Sequence, residues 1–297
     1  MKQLLFLMSF IIYFNMSSQN LDDILEEETP TTTNLVFGTF NGTRLLNGHS
    51  VETRKKGILE FLIHHRFGAI NSGAEELFGL DQSNIRLGFE YAMSDDFTVA
   101  IGRSSLQKTF DGYLKYRLLK QKTGEEAFPV SVTLFTSATK KTVKDYEPEN
   151  KPDFKDRVVY TSQVLLARKF NQNLSLQLMP TYIHYNSSPT HNDPNDIFAL
   201  GFGTRIKISK RVSINGEYYY TVNPFESIDA KNSIALGFDI ETGGHIFQLI
   251  FTNSRAMNEK GFIVENTGNF FKGDIHFGFN ISRAFQIKKS KDTEKLY

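Results

Sequence analysis

The chain has no cysteine and no tryptophan among its 297 residues. Without cysteine there are no disulfides, no thiolate metal sites and no lipid anchor attached through a cysteine. Charge of one sign is also missing. Thirty-four Lys and Arg balance 33 Asp and Glu, for a formal net charge of +1. A nucleic-acid binder would show a basic patch or a strongly basic domain, so no nucleic-acid partner is expected. Long apolar runs are scarce too. Mean hydropathy is −0.32, which excludes a bundle of transmembrane helices. It does not exclude a membrane barrel, where half of every strand is polar and the signal is diluted.

What the chain has in quantity is aromatic residues, 27 Phe and 12 Tyr, and alternation. The clearest case is the stretch 196–222. Phe198, Leu200, Phe202, Ile206 and Ile208 fall on one face of a strand, with Ala199, Gly201, Gly203, Arg205 and Lys207 on the other. After a turn at Ser209-Lys210, Val212, Ile214, Tyr218, Tyr220 and Val222 oppose Ser213, Asn215, Glu217 and Thr221. A period of two gives one apolar and one polar face. An aromatic-rich apolar face opposite glycine and charge is the pattern of a hairpin with lipid outside and a polar lumen inside.

The pattern recurs from Gly57 to Phe285, and no stretch sustains a helical period. Short turns at Ser94–Asp96, Phe170–Asn173, Ser209–Arg211 and Thr242–Gly244 alternate with long polar loops at Ala69–Ser83, Thr139–Asp156, Asn186–Asn195, Asn223–Lys231 and Ser254–Gly273. The fold class expected is all-β: an antiparallel up-and-down transmembrane β-barrel with short periplasmic turns and long outer loops. Counting from Gly57 gives about twelve strands, the even number that single-chain bacterial barrels use. Counting Leu35–Phe40 as a spanning strand would make the number odd. The last strand ends on the aromatic Phe285, a feature suited to the barrel-assembly machinery, although Arg283 interrupts its apolar face.

Four segments follow. Residues 1–18 read as a secretory signal, with Lys2 ahead of the apolar run Leu4–Phe14, which is too short for a comfortable transmembrane helix. Residues 19–56 are an acidic and polar segment, periplasmic or in contact with the lumen, with turn residues at Asn47-Gly48. Residues 57–285 form the barrel, and 286–297 a basic tail. The expected location is the outer membrane.

The runs TRLLNGHSVET, GILEFLIHHRFGAINSGAEELFGLDQSNIRLGFEY, FDGYLKYRLL, SLQLMPTYIH and NDIFALGFGTRIKISKRVSINGEYYY resemble an outer-membrane β-barrel family of Bacteroidota-type bacteria, classed as a domain of unknown function. The resemblance spans Leu35–Phe285. It implies the barrel and its location. It brings no catalytic or binding residues and no cofactor.

The charged residues of the polar faces form the expected lumen lining: Glu60, His64, Arg66, Arg86, Glu90, Asp111, Lys115, Arg117, Arg205, Lys207, Glu217 and Asp239. Unpaired charges in a narrow lumen are costly, so cross-strand ion pairs are expected among them. If the first and last strands pair, His64 and His276 come together near Asp274 and offer a metal or proton-responsive site. Other patterns are weaker. His49-Ser50 and His184 with Ser187 are poor nucleophile–base pairs, because neither lies where a strand would hold the geometry. Asn192–Asp196 is dense in oxygen ligands but reads more simply as an Asx turn. The expected activity is a non-enzymatic pore or small-solute transport protein, without cofactor. Two alternatives remain: a closed barrel that binds partners through its loops and N-terminal segment, and a lipid-acting membrane enzyme. A continuous lumen favours the pore; a lumen blocked by ion pairs or by residues 35–56 favours the closed barrel. Membrane lipid is the partner the apolar face requires, and oligomeric state is open.

Overall fold

The computed structural model describes residues 33–143, 153–242 and 245–288. The proposed signal at 1–18, the acidic stretch to residue 32, the turn glycines 243–244 and the tail beyond 288 lie outside the described residues.

Twelve antiparallel strands close into one barrel. They are β2 (Ile58–Ala69), β3 (Ser83–Ala92), β4 (Phe97–Ser104), β5 (Phe110–Leu119), β7 (Ser131–Lys140), β8 (Val158–Lys169), β9 (Leu174–Tyr185), β10 (Asp196–Lys207), β11 (Val212–Thr221), β12 (Ser233–Thr242), β13 (His245–Thr252) and β14 (His276–Gln286). Each pairs with its sequence neighbour, and β14 closes onto β2 from Ala69 opposite His276 to Ile58 opposite Gln286. The two remaining strands, β1 (Asn34–Leu35) and β6 (Lys122–Thr123), make a separate two-residue ribbon. Leu35–Phe40 therefore contributes no spanning strand, as the parity argument required.

The strands alternate as read. Phe198, Leu200 and Phe202 on β10, Tyr218 and Tyr220 on β11, and Leu236 and Phe238 on β12 are exposed on the outer face. So are Ile85, Leu87 and Phe89 on β3. An apolar belt of this extent around a closed sheet is far larger than a soluble monomer carries, and it is what a bilayer covers. No helix among the described residues is long and apolar enough to cross a membrane. Arg283, which interrupts the apolar face of β14, sits over the Phe285 ring at 4.9 Å near the strand end, where a long basic side chain can reach the interface.

The short turns gather at one end and most long connections at the other. Two connections depart from the expected alternation. Residues 105–109 make a tight link at the long-loop end, and residues 120–130 make a longer one at the short-turn end, where β6 pairs with β1. Pro180 sits in the middle of β9, and the β8–β9 ladder skips from Gln163–Thr181 to Leu166–Leu178 around it, because proline has no N–H to donate.

Candidate functional site: the filled lumen

The interior of the barrel is occupied by the chain itself. Residues 33–38 run along the short-turn rim, where Val36 N donates to the Gln121 carbonyl and Lys169 Nζ to that of Phe37. The chain then turns inward as a miniature hairpin. Arg44 bridges His49, Leu45 N donates to Gly48 O (3.0 Å), and Ser50 N to Thr43 O (3.1 Å). The Asn47-Gly48 turn read from sequence is the tip of this hairpin. The segment returns to the same rim, where Thr53 and Lys56 are tied to Asp95 in the turn between β3 and β4.

A segment with so few hydrogen bonds of its own needs partners for its backbone once water is excluded. The wall supplies them. Glu217 on β11 accepts from Leu46 N (3.3 Å) and Gly48 N (3.0 Å). Gln177 on β9 accepts from Val51 N (2.9 Å) and donates to His49 O (2.7 Å). Lys115 on β5 donates to the carbonyls of Thr43 and Glu52, and Thr133 on β7 to that of Val51. Gln248 on β13 and Asn280 on β14 donate to Leu45 O and Leu46 O. Arg66 on β2 donates to the Asn47 side chain, whose amide in turn donates to Thr252. Packing matches the polar fit. Leu45 and Leu46 are almost fully buried, and glycines make their sockets. A Cβ on Gly203 would stand 2.5 Å from Leu45 Cδ1, and one on Gly237 would stand 2.7 Å from Leu46 Cδ2.

A second insert fills the lumen from the long-loop end. The connection between β13 and β14 folds inward, so that Asn258, Glu259 and Lys260 are buried together with Phe262, Ile263 and Val264. Its π-helical turn Lys260–Val264 sets these apolar residues into a cluster with Ile183, Tyr185, Ile197, Tyr219 and Phe225. The Phe262 ring meets Tyr219 at 5.3 Å. The inserts meet in mid-barrel: Glu259 Oε1 lies 3.6 Å from Arg44 Nη1 and 3.4 Å from His49 Nε2.

Ten of the twelve charged residues assigned to the lumen from sequence are buried there; Arg117 and Lys207 are half-buried near the short-turn rim. Of the cross-strand ion pairs expected among them, Arg86 with Asp111 forms, and most of the others find different partners. Glu60 stands directly opposite Glu90, and His64 opposite Arg86. Arg86 instead reaches across β4 to Asp111 (Nε–Oδ1 2.9 Å), over Gly102, where any Cβ would strike its guanidinium. Glu60 is neutralised by Arg54 of the N-terminal segment (Nε–Oε2 2.8 Å), and Glu90 accepts from the Tyr113 hydroxyl. Arg117 pairs with Asp96 in a turn, Arg205 donates to the carbonyls of Gly38 and Thr39, and Asp239 accepts from Gln248. The wall charges are thus completed largely by the inserted chain, which a strand-by-strand reading does not contain. The neutral clasping residues Gln177, Gln248, Asn280 and Thr133 were missed because only charged positions were read; their strand parity identifies them. Tyr219 also faces the lumen.

The suggested His64, His276 and Asp274 site does not assemble. His64 lies opposite Asn280, and His276 opposite Ala69, nearer the long-loop end. His276 Nδ1 is 3.0 Å from Phe67 O, and the Asp274 carboxylate accepts from Asn71 Nδ2 and Asn269 N. Among the described residues no group of three or more His, Asp or Glu is placed to hold a metal ion. His49 is sandwiched between Tyr113 (4.6 Å) and Phe135 (4.1 Å), while Ser50 Oγ donates to Gly42 O (2.6 Å), so the two make no nucleophile–base pair. His184 is bonded to Asp196 at 2.7 Å. In the Asn192–Asp196 stretch, both Asp193 oxygens accept from Thr190, Glu226 and Ser227, tying two loops together as a capped turn.

A closed β-barrel with an apolar outer belt and a polar, chain-filled interior defines an integral membrane barrel. The chain belongs to the family described as a membrane bound beta barrel domain (DUF5777), whose model matches residues 40–285 and so takes in the inserted hairpin as well as the wall. Among solved structures, the NanC porin is 9% identical, with a TM-score of 0.47, covering 76% of this chain and 98% of its own. The KdgM porin is 8% identical at a TM-score of 0.44, covering 76% and 99%. The COG4313 outer membrane channel from Pseudomonas putida F1 is 13% identical at 0.44, covering 79% and 98%. No curated protein sequence matches the chain.

Proposed function

We propose that this is a non-enzymatic outer-membrane barrel for small solutes, closed at rest by its own N-terminal hairpin. The short turns then face the periplasm and the long loops the outside, as in barrels with this asymmetry. The observation that supports closure is the clasp around residues 43–52. The wall groups that would hydrate a pore are engaged by the hairpin backbone. These contacts are hydrogen bonds, two leucine sockets, the His49 ring stack and the approach of Arg44 and His49 to Glu259, all non-covalent, so the hairpin can leave by the rim it entered. A second reading is a permanently closed barrel that presents its loops and N-terminal segment to partners. It is favoured by the β13–β14 insert, which fills the same lumen from the other end and meets the hairpin at Arg44 and Glu259.

Single-channel recording of refolded protein in a planar bilayer separates them. The full chain is expected to be silent, and a chain lacking residues 39–56 to show stable ohmic steps. Silence in both, with folded barrels, supports the permanently closed reading. Stable steps from the full chain at rest overturn closure altogether.

A further inference from the structure

Outside the clasp, three independent features converge at the long-loop end. The first is a cavity of about 390 Å³ between the β13–β14 insert and the rim, within the range of small-ligand sites. The second is the π-helical turn Lys260–Val264 on its wall, a rare geometry that is concentrated at functional sites. The third is the tight link on the opposite wall. Gln107 and Lys108 there hold consecutive left-handed φ angles of 52° and 46° without being glycine. Such backbone is strained and collects at ligand clamps and active sites. Gln107 is fixed to the insert, its amide donating to Glu265 (3.4 Å) and accepting from Lys260 (3.4 Å).

The polar lining decides the chemistry. Its two carboxylates are already used. Glu265 accepts from Lys260, Gln107 and Tyr185, and both Asp274 oxygens accept from Asn71 and Asn269. The guanidinium of Arg255 is different. Its Nε and Nη2 lie beside the Asn84 side-chain amide; a guanidinium only donates, so the amide orientation that satisfies both groups turns the neutral oxygen toward it, at 3.1 and 3.2 Å, and no carboxylate pairs with it among the described residues. A cation held by a neutral amide at the wall of a half-closed cavity is a receptor for an anion, and arginine favours a carboxylate for its bidentate geometry. Around it, the Ser254 and Thr267 hydroxyls and the Asn258 side-chain N–H₂ are suited to ligand hydroxyls, whereas the Asn266 amide is spent on Lys231 O and Gly268 N and His276 Nδ1 on Phe67 O.

We infer that this vestibule binds a small polyhydroxylated carboxylate, with Arg255 gripping the carboxylate. This names the solute class for the barrel reading above, and binding here does not require passage. The test is calorimetric titration of the full-length refolded protein with gluconate and with sorbitol, which keeps the hydroxylated chain and lacks the carboxylate. Gluconate should bind, and sorbitol at least about tenfold more weakly, the worth of a charge-assisted hydrogen bond. R255Q should lower gluconate affinity by about ten- to hundredfold, with R255K between. Arg255 is half-exposed on a connection, so these variants are expected to fold. Absence of gluconate binding, equal binding of sorbitol, or an unchanged R255Q titration each overturns the inference. A silent bilayer recording bears on passage alone, so the two readings fail separately.

Discussion

Single side chains decide whether the hairpin stays seated, and Glu217 carries the most direct load. Its carboxylate receives two hairpin N–H groups that have no water to turn to. Glu217→Ala leaves both donors buried and unpaired, at about 1–3 kcal/mol each. Amide hydrogen exchange over residues 39–53 should accelerate at least about tenfold; an unchanged rate would contradict the clasp. His49 sets a pH limit on the same state. Burial holds its pKa well below the ordinary 6.5, and the nearby cations Arg44, Lys115 and Arg86, with His64, push the same way. Burial also pushes the carboxyl of Glu259, its one acidic neighbour, upward, so a strong counter-charge is missing. A withdrawn hairpin gains a proton on His49 below pH 6.5 and the seated hairpin does not. The seated state therefore loses stability as pH falls below 6.5. Openings in bilayer recordings should rise between pH 7 and pH 5, and His49→Phe, which keeps the ring stack, should flatten that dependence.

At the scale of elements, the loops at the long-loop end are tied to one another, not left as independent excursions. Asp193 joins the β9–β10 loop to the β11–β12 loop. Burial works to raise its carboxyl, but hydrogen bonds from Ser227, Thr190 and Glu226 outweigh it and bring the pKa down from 3.8 to about 2. The tie is present in full above pH 3.8 and is lost as pH falls through about 2. Asp193→Asn should remove it at neutral pH. Proteolytic cleavage within residues 186–195 should then quicken with the barrel intact, and cleavage as slow as in the parent would refute the tie. Asp274, beside the vestibule, is likewise held low by the Asn269 backbone N–H and the Asn71 amide. These connections were read from sequence as polar loops. Nothing in their composition separates the β13–β14 connection, which folds inward, from its neighbours. Its buried run Phe262–Val264 is the only trace, and its burial depends on Tyr185, Ile197, Tyr219 and Phe225 from distant strands.

For the whole molecule, the barrel and its inserts act as one packed body. Absence of cysteine makes this directly testable, because any introduced pair is the only thiol pair present. Leu45→Cys with Gly203→Cys places one thiol on the hairpin, beside its tip, and one in the socket where the two positions already touch. Oxidation should join them in the folded, membrane-inserted protein and abolish any acid-induced conductance, and reduction should restore it. Failure of the pair to oxidise while the barrel remains folded would place the hairpin elsewhere.

Residue order alone determined the wall. A period of two, turn residues between runs, and an aromatic outer face specify a closed antiparallel barrel of twelve strands and the lumen side of each charged position, because a strand's side chains have only two faces to choose from. Tertiary structure decided what the lumen contains. Glu60 faces Glu90 and not a cation, and its partner Arg54 comes from outside the wall. Gly203 reads as a small lumen-facing residue, and only the folded barrel shows that it is the socket for Leu45, as Gly237 is for Leu46. His64 and His276, joined by a register argument, lie apart because closure offsets them along the β2–β14 seam. Such contacts depend on where a segment without regular periodicity enters a cavity formed by twelve others, and no local pattern encodes that. The physical reason is that strand alternation is a local steric property, whereas filling the lumen matches donors, acceptors and volumes across the whole barrel.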